Sequence, residues 1–78
     1  MVNMYPNPTS DFLTIDVDLI KTFKSLTVEI RDIFGRLLIE ENITKKTSTI
    51  DISAISSGYY FLSIKWPESY ITKSFVKK

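Results

Sequence analysis

The sequence predicts an all-β fold, an antiparallel sandwich of about seven strands in two packed sheets. Apolar residues recur at every second position along much of the chain. The stretches between these runs are short and rich in turn-forming residues, and they recur at the intervals typical of an antiparallel sandwich. A chain of 78 residues hides roughly 63% of its unfolded surface on folding, enough for one thin core. Residues 1–78 are therefore read as a single domain.

In order, Leu13, Ile15, Val17 and Leu19 alternate with Thr14, Asp16 and Asp18, which predicts a half-buried strand. Leu26, Val28 and Ile30 alternate with Thr27, Glu29 and Arg31 in the same way. Asp32-Ile33-Phe34-Gly35 has Asp first and Gly fourth, suiting a type I turn that closes a tight hairpin. The next segment, Arg36 to Ile43, is β-rich, with a helix over Arg36 to Asn42 as the rival reading. Lys45 to Ser48 forms a polar connection, and Ile50 and Ile52 face inward. Ala54 to Gly58 is expected to make one short turn of helix or 3₁₀. From Gly58 a longer strand follows, with Tyr60, Leu62 and Ile64 inward and Tyr59 and Phe61 outward. Trp66-Pro67-Glu68-Ser69 is a further hairpin loop, with Trp66 placed to cap the core, and Tyr70 to Val76 completes the set.

Composition excludes several functions. Ten Lys and Arg against nine Asp and Glu leave a net charge of +1, so no global field draws the chain to nucleic acid or anionic lipid. Cysteine and histidine are both absent, removing disulfides, thiolate sites and the usual neutral-pH base. No apolar run approaches a membrane span, and no secretory leader opens the sequence, so any export signal of that kind is expected upstream in a longer parent. Asp16 and Asp18, with Asp11 or Asp51, have the donors for a hard cation, but a solvated strand face accounts for them. Glu40 and Glu41 point to opposite faces, and the many serines lack a base to activate them. No catalytic, cofactor or metal residue is assigned.

Two features carry more information. Tyr5-Pro6-Asn7-Pro8-Thr9 is a stiffened, extended entry into the domain, since each proline restricts its own backbone and its neighbour's. Gly58-Tyr59-Tyr60 combines a sharp turn with a Tyr placed to bond back to upstream backbone, as in the tyrosine corner of sandwich folds. The outward Tyr59 and Phe61 offer a stacking surface for sugar or protein, although small sandwiches ordinarily cover such aromatics with loops and termini, and that is the expectation here.

Taken in order, these residues resemble the type A C-terminal sorting domain of the type IX (Por) secretion system of Bacteroidota. Tyr5-Pro6-Asn7-Pro8 is similar to that family's opening motif, and Phe12-Leu13-Thr14-Ile15 to the strand after it. Asp32-Ile33-Phe34-Gly35-Arg36 is similar to its Asp-x-x-Gly-Arg hairpin, Ile50-Asp51-Ile52 through Gly58-Tyr59-Tyr60 to its Gly-x-Tyr segment, and Lys73 to Lys78 to its basic terminal strand. Pro67-Glu68-Ser69 departs from the family's Gly-containing turn.

The resemblance implies an Ig-like sandwich at the end of a larger protein exported through the periplasm to the cell surface or medium. Its implied partners are components of the type IX translocon, a sortase-like signal peptidase and the upstream cargo, with neither nucleic acid nor membrane insertion involved. The implied recognition residues are Pro6, Asn7 and Pro8, then Gly58 and Tyr60, then Phe75, Val76, Lys77 and Lys78. Gly58 and Tyr60 are expected to act through the fold, whereas Lys77 and Lys78 are expected to have no core role. The alternative is an Ig- or fibronectin-like accessory module that binds carbohydrate or protein.

Overall fold

The computed structural model describes residues 2–18 and 23–78. Among these residues seven strands form: β1 (Val2–Tyr5), β2 (Phe12–Val17), β3 (Leu26–Arg31), β4 (Leu37–Ile43), β5 (Thr47–Asp51), β6 (Gly58–Trp66) and β7 (Ser69–Lys77). They pair antiparallel in a three-stranded sheet of order β1-β2-β5 and a four-stranded sheet of order β4-β3-β6-β7. The all-β sandwich is thus the observed fold. Arg36 to Asn42 is extended, so the helical alternative fails there. A strand satisfies this segment because Ile39 and Ile43 then face the core beside Ile30 and Leu26.

The two-residue period places the core as expected. Leu13, Ile15, Val17, Leu26, Val28, Ile30, Ile50, Ile52, Leu62 and Ile64 are buried between the sheets with Tyr60 and Phe75. Leu19, expected on the same face, lies outside the described residues. Tyr60 and Phe75 are paired across β6 and β7, and their rings stack with centroids 5.7 Å apart. Trp66 is half-buried and stacks on Phe23 at 6.0 Å, closing the opposite end of the core.

Turn chemistry sets the registers. The Asp32 N–H donates to Arg36 O at 3.1 Å and the Gly35 N–H to Asp32 O at 3.0 Å, while Gly35 takes φ +84°. That left-handed residue is what a type I turn needs to rejoin a twisted hairpin. Pro67 and Glu68 alone span the β6–β7 turn, because Trp66 pairs with Ser69. Ala54 to Gly58 forms no helical turn, and what remains of the expectation is one i→i+3 bond of the 3₁₀ kind at its start. Only the Ile55 N–H to Ile52 O bond, at 3.3 Å, closes a turn there, and the rest is irregular, anchored instead by side chains from β6 and β7.

Candidate functional site at one pole of the sandwich

The registers gather the singled-out residues at one end of the molecule. Tyr59 pairs with Val76, Gly58 with Lys77 and Arg31 with Phe61, so the Asp32–Arg36 turn and the end of β7 lie at the same pole. Phe12 pairs with Asp51, and the Ile52 N–H donates to Asp11 O at 2.8 Å, bringing the starts of β2 and of the 52–58 segment there too. Val2, paired with Val17, lies at the other end of the three-stranded sheet.

The segment after Tyr5 joins this pole in a way the sequence does not announce. The chain leaves β1 through two cis peptide bonds, Tyr5-Pro6 and Asn7-Pro8, and Thr9 then pairs in parallel with Lys77 of the other sheet. The Thr9 N–H donates to Val76 O at 2.9 Å, the Lys78 N–H donates to Thr9 O at 2.7 Å, and the Val76 N–H donates to the Asn7 side-chain carbonyl at 3.0 Å. Thr9 is almost fully buried, and its hydroxyl donates to Phe12 O. The asparagine thus supplies the acceptor that a neighbouring strand would otherwise provide. Pro6 and Pro8 are exposed. Nothing in a Thr after Pro signals a partner 68 positions later in the sequence.

Lys77 requires a correction. Its side chain is buried, and Nζ donates to Ser53 O at 3.3 Å and to Ile55 O. On β7 it shares the inward face with Phe75, two positions earlier, so its stem lies against the core while its ammonium satisfies carbonyls of the 53–57 segment. It therefore has a core role. Of the basic pair, only Lys78 is an exposed terminal cation. Phe75 is likewise a core residue, whereas Val76, on the outer face of β7, is half-buried.

Gly58 and Tyr60 hold the same segment from β6. Gly58 adopts φ +152°, a region other residues rarely enter, and the Tyr60 hydroxyl donates to Ser56 O, completing a tyrosine corner. Asp51 accepts from Ser53 N at 2.9 Å and Ser53 Oγ at 2.7 Å. The Ser53 hydroxyl, its N–H and nearby Lys77 hold the Asp51 carboxyl below its ordinary value against the opposing effect of burial.

Two acidic groups brace the four-stranded sheet. Burial pushes the Asp32 carboxyl up, but bonds from Arg36 N, Arg36 Nε and Phe34 N outweigh it and hold the group low. Glu29 is buried on the outer face, where Lys65 at 3.0 Å and Arg31 at 3.2 Å lower its carboxyl against desolvation. Asp16 accepts from Thr47 and Asp18 pairs with Lys46, so both serve the three-stranded sheet and its flank. Among the described residues, no three acidic side chains converge as a metal site.

The outer aromatics also differ from expectation. Tyr59 is 62% and Phe61 40% exposed on the outer face of β6, left uncovered by the described residues. Neighbouring Ile33, Phe34, Leu37 and Leu38 are exposed as well, forming an apolar area beside the Asp32–Arg36 turn.

No curated protein matches the sequence. Among solved structures, PorZ is similar at a TM-score of 0.73 and 22% identity over 99% of this chain. It is described as an essential bacterial surface component of the type-IX secretion system of Porphyromonas gingivalis, and the present chain spans 11% of its length. That likeness establishes a shared fold. Residues 3–78 match the family described as the secretion system C-terminal sorting domain, which is not a catalytic family. With essentially the whole chain matched, and with the motifs that suggested the resemblance drawn to one pole, this protein belongs to the secretion system C-terminal sorting domain family.

Proposed function

We propose that this domain is an export address, read by the type IX machinery at the pole where Asn7–Thr9, the Asp32–Arg36 turn, the 52–58 segment and Val76–Lys78 meet. The carrying observation is that convergence: four motifs far apart in sequence share one end of the sandwich, while Val2 lies at the other. A parent protein joined ahead of Val2 then leaves the pole clear. In this reading the translocon engages the exposed parts, including Pro6, Pro8 and Lys78, and carries the parent through the periplasm and across the outer membrane. A sortase-like peptidase cleaves upstream of Tyr5, and the cargo is released or attached at the surface. The domain supplies recognition and no chemistry.

The structure determines how this is tested. Deleting residues 75–78 removes a core phenylalanine and the buried Lys77, so loss of export would report unfolding. Exposed positions are the useful ones. A periplasm-directed fluorescent reporter carrying residues 1–78 is expected to reach the surface or medium in a type IX-proficient Bacteroidota strain and to stay in the periplasm when the translocon is deleted. Lys78→Ser is expected to lower export at an unchanged melting temperature. A folded reporter that remains in the periplasm of the proficient strain overturns the reading and favours a binding module instead.

A further inference from the structure

We propose that the groove between the Asp32–Arg36 turn and the Ala54–Gly58 segment is a docking site for a peptide that presents apolar side chains beside a carboxylate. The proposal deepens the sorting reading and rests on it for the pole's use in export.

The turn itself motivates this. Its geometry is secured by Gly35 and by the Asp32 carboxylate, which accepts from Phe34 N at 2.9 Å, Arg36 N at 3.0 Å and Arg36 Nε at 2.7 Å. Neither Ile33 nor Phe34 contributes a side chain to that network, yet both stand at a hairpin tip where small polar residues are usual. Ile33 is 63% and Phe34 79% exposed. Across from them lie Ile55 and Tyr59, with Leu38 on the flank, and together they line an open groove of about 710 Å³. Contiguous exposed apolar surface of this kind marks interaction sites, and aromatic residues with arginine are the groups enriched in them.

Charge selects the occupant. Arg36 has a side chain 75% exposed, and only its Nε is bonded, to Asp32. Its two terminal amino groups bond to none of the described residues, so a planar set of N–H donors in the lining is left open, suited to a carboxylate. Asp32, the one acidic side chain in the lining, is already committed to the turn and is kept ionised by it. A basic occupant therefore finds no free carboxylate there. Sugar recognition needs several polar groups around an aromatic platform; a largely apolar groove with one open guanidinium suits a peptide better, and vesicle binding in the test below separates this from insertion of the Ile33 and Phe34 tip.

The test is a titration of the isotopically labelled 78-residue chain, followed by amide chemical shifts. The probes are the blocked peptides acetyl-Leu-Glu-Phe-Leu-amide and its Gln and Lys counterparts. The Glu peptide is expected to shift Phe34, Ser57 and Tyr59, binding at least threefold more tightly than the Gln peptide and more tightly still than the Lys peptide. Phe34→Ser should weaken it tenfold or more. Arg36→Gln, which leaves the backbone donors to Asp32 in place, should abolish the preference for Glu over Gln. Equal binding of the three peptides, shifts away from the groove, tighter binding to phosphatidylglycerol vesicles, or peptide-free shifts that grow with protein concentration each overturn the proposal.

In cells, the reporter carrying Phe34→Ser should be exported at least fivefold less than the intact fusion while melting normally. Unchanged export removes the groove from the export step and overturns its place there. If the intact fusion itself is not exported while the Glu preference holds in vitro, the sorting reading fails and the groove survives it.

Discussion

Replacing Lys77 with methionine isolates the least expected contact in the molecule. The substitution keeps an unbranched apolar stem of similar length and removes only the ammonium that Ser53 O and Ile55 O share. Hydrogen bonds to a charged group contribute about 1.5–3 kcal/mol. Two are lost here, one of them long at 3.3 Å, and the freed carbonyls can be partly rehydrated at the pole, so a net loss of about 2 kcal/mol is reasonable. Unfolding entropy near ~2.1 cal/mol/K per residue gives about 0.16 kcal/mol/K for a chain of 78 residues. The melting temperature of Lys77→Met should then fall by about 12 °C, read by circular dichroism or Trp66 fluorescence. Lys78→Ser is the control. Its side chain is exposed and its N–H still bonds Thr9, so the change should stay within about 0.5 kcal/mol. Equal, small shifts in the two variants would refute the reasoning and restore both lysines to a solvated tail.

Other substitutions report on the same pole. Tyr60→Phe removes the donor to Ser56 O and should cost about 1 kcal/mol in urea denaturation; no change would mean that the carbonyl finds water at no loss. In Gly58→Ala a Cβ meets nothing nearer than the Tyr60 ring at 4.0 Å, so the expected loss of about 1–3 kcal/mol is backbone strain alone. A neutral Gly58→Ala would show that φ +152° is not required. Asp32 and Glu29 are both held below their ordinary values of 3.8 and 4.5, so the stability they lend is fully present above those values. It is lost as pH falls through the lower values of the folded state. Melting temperatures should therefore decline below about pH 4.5, less steeply in Asp32→Asn than in the parent; identical acid slopes would contradict this.

Much of the architecture was legible because alternation is a local property. Each of Leu13, Ile15 and Val17 announces its face through its immediate neighbours, and Asp32 to Gly35 encodes a turn within four residues. The candidate site was legible only in part. Tyr60 could be read as a corner because its partner is four residues back, at Ser56. The roles of Thr9, Asn7 and Lys77 depend on residues of the opposite sheet or the opposite end of the chain, and no local pattern encodes those distances. Lys77 was misread for a further reason. A lysine near a terminus is usually solvated, and here the register of β7 turns it inward beside Phe75, where two carbonyls await it. The outward aromatics were placed on the right face but expected under cover, because nothing in a strand's own sequence says whether a loop passes over it.

The parallel bridge between Thr9 and Lys77 bears on when this domain can come into being. Its contacts span nearly the whole length of the sequence, and Phe75 and Lys77 between them supply a core ring and the anchor of the 53–57 segment. Contacts of such separation form late, because the intervening chain must be brought round first. During synthesis the two sheets therefore remain open until residues 75–78 have emerged, and a polypeptide interrupted before that point carries no closed domain. A folded pole in this sense reports that the chain has been made at least through its last strand, and a system that reads the pole discriminates such chains from ones interrupted earlier.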